Sequence, residues 1–143
     1  MEALKHFFDN DQFAKRVDVR LVAVSPGCAT AEMKLQPHHW NGINNVQGGA
    51  IFTLADFAFA AAANSYGTVA VAVNVSITFM KAAKEGTLRA EAKELSKNFR
   101  LGSYLVEVKD DAGDLIAVFQ GLAYRKQDKI PDPSRSPAPT DVP

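Results

Sequence analysis

One cysteine, Cys28, in 143 residues leaves no partner for an internal disulfide and too few thiolates for a multi-cysteine metal site. Charge of either sign is not in excess. Sixteen Lys plus Arg balance sixteen Asp plus Glu, and no stretch collects basic residues, so neither a nucleic-acid footprint nor an anionic-membrane footprint is present. Long hydrophobic runs are missing too. The longest, Gly49 to Ala63, is broken by Thr53 and Asp56 and falls short of the about 20 apolar residues that cross a bilayer. The opening residues MEALKHFFDNDQF mix Glu2, Lys5 and Asp9 with apolar side chains, unlike a secretory leader, and a cytoplasmic location is expected. There is no Gly-x-Ser-x-Gly elbow, phosphate loop or dinucleotide fingerprint, which removes the serine-hydrolase, triphosphatase and redox readings those motifs carry.

What is present reads as one domain, residues 1–126, large enough to remove roughly 70% of its unfolded surface from water. Five of seven prolines fall in residues 127–143, so that segment is expected to be a disordered tail. Leu4, Phe7 and Phe8 recur at helical spacing and predict a short N-terminal helix ending near Lys15 and covering an edge. From Val17 the period becomes two. Val17, Val19, Leu21 and Ala23 share one face, and beyond the SPG turn Ala29, Met33 and Leu35 share another, as in a hairpin. A loop rich in Asn, Gly and His, QPHHWNGINNVQGG, leads into the long apolar helix, which Gly67 is placed to stop. Four alternating runs follow, beginning with VAVAVNVSITF, and their short links KEG, NFRLG and DDAGD predict antiparallel neighbours.

A helix apolar on nearly every side must be wrapped, and the curved antiparallel sheet is what can wrap it. The fold class is α+β. Open sheet edges in such an arrangement favour pairing between copies, so a homodimer or homotetramer is expected. Against that background Asp56 stands out. A carboxylate in an apolar pocket is a candidate general base or nucleophile, because desolvation raises its basicity. Capping a loop or facing solvent at a subunit boundary is the structural alternative. Gly48 and Gly49 open the helix, where backbone N–H groups lack intrahelical partners and can meet a developing oxyanion.

The stretch from Asn41 to Asp56, NGINNVQGGAIFTLAD, resembles the motif of PaaI-type acyl-CoA thioesterases of the hotdog superfamily: Asn, five residues, His-Gly-Gly, then Phe-x-Leu-Ala-Asp. Asn41, Gly48, Gly49, Phe52, Leu54, Ala55 and Asp56 match in register, and the likeness extends over about residues 15–126. It implies a hotdog fold and hydrolysis of a coenzyme A thioester, with no other cofactor, at a site between subunits. By the same resemblance the Gly48 N–H holds the thioester carbonyl, Asp56 attacks it or activates water, and Asn41 positions water or substrate. Gln47 departs from the family's histidine. Glutamine can orient a group but carries no proton at neutral pH, which raises a second reading, a non-hydrolytic acyl-CoA sensor or carrier.

Phe52, Thr53 and Phe59 lie within a turn of Asp56 and are candidates for an acyl tunnel, with Trp40 near its mouth and Gln47 and Gly49 beside the carbonyl. Lys81, Lys84, Lys97 and Arg100 fall near strand ends or turns, where they are either surface charges or contacts for coenzyme A phosphates. Lys84 and Arg100 are carried forward as substrate-binding candidates. His38 and His39 are adjacent, point opposite ways in an extended loop and are not expected to hold a metal.

Overall fold

A computed structural model describes residues 2–131. Two short helices, α1 (Glu2–Asp9) and α2 (Gln12–Arg16), precede the hairpin β1 (Val19–Ser25) and β2 (Cys28–Lys34). A 3₁₀ turn at Pro37–His39 leads through a loop into α3 (Gly48–Ala63). The chain then continues through β3 (Thr68–Phe79), β4 (Thr87–Lys97), β5 (Leu101–Lys109) and β6 (Leu115–Lys129). All neighbours in the sheet are antiparallel, in the order β1-β2-β4-β5-β6-β3, and α3 packs against every strand. This is the hotdog arrangement.

The alanines of α3 let the sheet close on it. Ala55, Ala58, Ala61 and Ala62 are fully excluded from solvent, as is Leu54, and side chains this small let backbone and sheet approach closely. Facing them are Met33, Leu88, Ala90, Val106, Val108, Ile116 and Phe119, none of which reaches solvent. Alternation along β2, β5 and the first half of β4 is the period-two signal read in the sequence, whereas β3, expected to be half-buried by the same signal, is exposed over most of its length because it forms the edge of the sheet. The helix ends at Ala63, and Gly67, at φ 88°, turns the chain into β3 while its N–H donates to the Asn64 carbonyl.

Several expectations change. The N-terminal helix is two helices, because Asp11 caps α2 by accepting from the Ala14 N–H at 3.0 Å. Phe8 packs edge-on against Phe57 of α3 at 5.5 Å, so this segment contacts the helix as well as β1. A register shift between Leu21 and Ala23 leaves Ala23 exposed and turns Val24 inward. The KEG link is a crossover: β3 pairs with β6, and β4 with β2 and β5. β6 also runs past residue 126 to Lys129, and the Ile130 N–H donates to the Gly67 carbonyl. The rest of the expected tail, 132–143, lies outside the described residues.

Candidate active site

α3 is buried everywhere except along one stripe. Gly49, Phe52, Thr53, Asp56 and Ala60 recur at three- and four-residue spacing and stay partly or fully accessible. Asp56 is therefore not sunk in the core. It opens into a groove of about 290 Å³ walled by Phe52, Thr53 and Phe57 of α3 and by Asp11, Phe13 and Ala14 at α2. Burial raises the Asp56 carboxyl above its ordinary value, and the neighbouring Asp11 charge raises it further. The Thr53 hydroxyl donates to the Gly49 carbonyl at 2.8 Å, so its lone pairs are what it offers the groove.

Gly48 borders a different space. Gly48 lines a second cleft, of about 410 Å³, with Asn41, Asn45, Ile51, Phe79, Met80 and Lys81 among its walls. Gln47 caps the helix with its backbone: its carbonyl accepts from the Ala50 and Ile51 N–H groups, and its side chain, which is exposed, makes no capping bond. Among the described residues the N–H groups of Gly48 and Gly49 have no acceptor, leaving two adjacent free donors at the positive end of the helix dipole. A side chain at residue 49 would meet only the edge of Gln47, at 3.8 Å, so the space above that backbone is open.

Gly48 and Asp56 are eight residues apart on one helix, which places them about 12 Å apart along its axis. That separation is too great for one chain to present both groups to a single carbonyl.

The remaining candidates divide. Phe52 packs edge-on against Phe119 at 5.6 Å and borders the Asp56 groove with Thr53, as expected. Phe59 does not: it is 1% exposed, stacked among Tyr104, Phe119 and Gly121, and is core. Asn41 borders the Gly48 cleft, but its side-chain oxygen accepts from the Ile43 and Asn45 N–H groups, so it fastens its own loop. Trp40 donates to the Lys84 carbonyl at 2.8 Å with the Lys84 ammonium 5.9 Å from its ring. The pair staples the loop to the β3–β4 crossover, and neither residue borders the Asp56 groove or the Gly48 cleft. The cation that does border the Gly48 cleft is Lys81, whose ammonium is raised above its ordinary value first by its hydrogen bond to Asp114 and then by the Asp114 and Asp110 charges. Arg100 lies at the opposite end of α3, beside β6.

His38 and His39 do converge, contrary to the extended-loop expectation, because they sit in the 3₁₀ turn with rings 4.3 Å apart. Both ring Nε2 atoms reach Asp18, at 2.7 and 3.2 Å. His39 Nδ1 accepts from the Gln36 N–H, so its proton sits on Nε2 and is given to the Val17 carbonyl, which leaves no lone pair there for a cation. Two side chains escaped the sequence reading: Asp11 and Phe13, both walls of the Asp56 groove. Nothing in the sequence said that α2 returns to α3.

A curved antiparallel sheet wrapped around one central helix is the hotdog fold. Comparison with known proteins specifies the branch. The family model described as the thioesterase superfamily matches residues 43–117. The acyl-coenzyme A thioesterase PaaI of Escherichia coli is 33% identical over 119 residues, covering 82% of this chain and 85% of that protein. A protein of Archaeoglobus fulgidus whose name proposes an esterase is 44% identical over 130 residues, covering 90% of this chain and 84% of that protein. The solved structure of the Escherichia coli PaaI protein superposes with a TM-score of 0.83 at 31% identity, covering 90% of this chain and 99% of that one. The chain belongs to the thioesterase superfamily, in its PaaI-type family.

Proposed function

We propose that the protein hydrolyses acyl-CoA thioesters at a site shared by two copies of the chain, with the Gly48 N–H of one copy and Asp56 of the other acting on the same carbonyl. The observation that carries this reading is their separation within one chain, where they border different clefts about 12 Å apart along α3. Two halves that cannot meet in one chain can meet across a two-fold axis.

The axis has a natural place. β3 ends the sheet, and among the described residues its outer side has no partner strand, while Val73, Phe79 and Met80 on it or just beyond are 51–58% exposed. An unblocked apolar edge of twelve residues favours antiparallel pairing with its own copy. The product is a homodimer, or a dimer of dimers if a further face is used.

In the assembled site the thioester oxygen accepts from Gly48, with Gly49 adjoining, and negative charge develops where the helix dipole favours it. Asp56 either removes a proton from water as it attacks, or attacks the carbonyl itself to form a mixed anhydride that water then hydrolyses to the acid and free Asp56. On either route the C–S bond breaks and coenzyme A departs as a thiolate, a leaving group stable enough to need little protonation, which suits Gln47 in place of a histidine. Phe52, Thr53 and Phe13 supply the wall against which the acyl group rests.

Thiol release from a panel of aryl and aliphatic acyl-CoAs, measured for wild type and Asp56→Asn, tests the reading. Release by wild type alone is expected. Equal release by both proteins removes the mechanism, and silence across the panel with retained thioester binding gives the lead to a non-hydrolytic carrier.

A further inference from the structure

Apart from Tyr104, the polar residues buried among the described ones are His39, Asn64 and Ser65, and they sit at the two ends of α3. Asn64 and Ser65 close its C-terminal end, where the Asn64 amide bonds to the Ala60 and Ala70 backbone and the Ser65 hydroxyl joins Gly27 to Ala62. His39, 2% exposed, stands at the other end, just ahead of the free amides. An imidazole is costly to bury unless both ring nitrogens find partners. Here both do. Nδ1 accepts from the Gln36 N–H at 3.0 Å, just beyond β2, and Nε2 donates to the Val17 carbonyl at 2.8 Å, just before β1, with the Asp18 carboxylate 3.2 Å from the same nitrogen. The ring thus ties the 3₁₀ turn to the root of the hairpin.

That turn in its own right holds the start of α3. The His39 carbonyl accepts from the Gln47 N–H at 2.7 Å, below the bridge that pairs Trp40 with Val46 and closes the loop between them. On the other side of the same residue, the Gln47 carbonyl accepts from the Ala50 and Ile51 N–H groups. That carbonyl and the Gly48 N–H belong to one planar peptide unit and point opposite ways. The direction of the free amide is therefore set by how Gln47 is gripped, from behind by His39 and from ahead by the first turn of the helix. A second anchor, the Val46 N–H on the Ala83 carbonyl at 2.8 Å, lies one peptide unit further from the amide.

From this chain of contacts we infer that His39 is a positioning residue for the oxyanion donors: its neutral ring, with the proton on Nε2 and the lone pair on Nδ1, fixes the turn whose carbonyl sets the direction of the Gly48 N–H. The inference rests on the role proposed above for the Gly48 amide and extends it to what holds that amide in place. His39 borders neither the Asp56 groove nor the Gly48 cleft, so it acts through the backbone and not on the substrate. A donor held in advance stabilises the developing charge without reorganising during the reaction, whereas a donor free to swing must first be ordered.

His39→Asn and His39→Gln each keep half of the ring's bonding: asparagine can offer an oxygen to the Gln36 N–H, and glutamine can reach the Val17 carbonyl with an N–H. Both are expected to fold and to lose kcat by about tenfold or more with KM near that of wild type, because the misplaced donor is missed in the transition state. Ser65→Ala removes two buried hydrogen bonds at the far end of α3 and is expected to lower the melting temperature with kcat unchanged. His39→Asn combined with Gly48→Ala should be no slower than Gly48→Ala alone, since the first residue acts through the second. Amide NMR of the full chain with isotope-labelled glycine reads the same link without turnover. The signal missing in Gly48→Ala identifies Gly48, and in His39→Asn that signal should shift while the signal of Gly67, beyond the other end of α3, stays. Losses that multiply in the double variant, a kcat loss no larger than that of Ser65→Ala, or an unmoved Gly48 signal overturns the inference. A shifted Gly48 signal in a protein that releases no thiol from any acyl-CoA supports the anchor and sinks the hydrolase reading alone.

Discussion

Phe79, at the end of β3, leans over Gly48, at the start of α3: a methyl group added at residue 48 would meet the ring at 3.1 Å. The aromatic ring and the missing side chain together shape the approach to the free amide. Gly48→Ala is therefore expected to fold, with the exposed ring giving way by a few tenths of an ångström, yet to obstruct the donor. Steady-state kinetics should show kcat/KM reduced on the order of a hundredfold, the scale of an oxyanion donor removed. Gly49→Ala separates stability from function more sharply. Its methyl group would touch only Gln47 at 3.8 Å, so replacing glycine in a helix should stabilise the protein by about 0.5–1 kcal/mol. A higher melting temperature together with lower turnover would mean that the space above residue 49 is used by substrate.

The Asp56 carboxyl has a raised pKa, from burial first and from Asp11 second, and the sign of two pH effects follows. In the proposed mechanism Asp56 acts in its charged form, so kcat/KM should fall on the acid side as pH drops through the raised value. Asp11→Asn keeps the cap on α2, because asparagine caps as well as aspartate, but removes the second cause. Its acid limb should move to lower pH; an unmoved limb would detach Asp11 from the site. For stability the sign is opposite. A carboxyl whose folded pKa lies above its unfolded value contributes stability in acid, and that contribution is lost as pH rises through the folded value. Asp56→Asn, neutral throughout, should melt above wild type at pH 7 and match it in acid.

The motif from Asn41 to Asp56 was legible because it is local: an N-terminal pair of glycines, a helix and a carboxylate all lie within sixteen residues. The wrapping of α3 by a sheet was legible for a different reason, since a helix of alanines has nowhere else to go. What escaped was set by pairing at a distance. The inversion of Ala23 and Val24 comes from a bulge against β2, and alternation alone cannot reveal an inserted residue. The β3–β4 link is short enough for a hairpin, yet the chain uses it as a crossover because β6 takes the side of β3 that β4 would have held. The Trp40 N–H is spent on the Lys84 carbonyl of the β3–β4 crossover and the Asn41 side-chain oxygen on its own loop, commitments that position in the sequence does not reveal. A sequence does not show which hydrogen bonds are already made.

Gly121 of β6 sits under the Phe59 ring so tightly that a Cβ there would stand 2.7 Å from it. This is the contact that removes Phe59 from the acyl wall. Gly121→Ala must push a fully buried aromatic ring against Tyr104 and Phe119, and overpacking of this kind costs about 1–3 kcal/mol. Denaturant unfolding should show that loss, while the acyl-chain preference of the folded fraction stays as in wild type. A changed acyl preference would return Phe59 to the pocket.

The unpaired edge of β3 gives the sharpest test of a shared site, because one substitution there can act on both halves at once. Val73 lies in the middle of the strand, is 55% exposed, and contributes little to the core of its own chain. Lysine at an edge blocks strand pairing by placing a solvated charge where a second backbone would dock. Val73→Lys is therefore expected to yield a folded monomer by sedimentation, with the circular dichroism of wild type and kcat/KM lower by at least about a hundredfold, because Gly48 and Asp56 no longer meet. A monomer that keeps full activity would show that one chain suffices and that the 12 Å along α3 is spanned in some other way. Activity that returns when Gly48→Ala and Asp56→Asn chains are mixed, each inactive alone, would demonstrate the division directly: one of the two shared sites in such a mixed dimer retains both native groups.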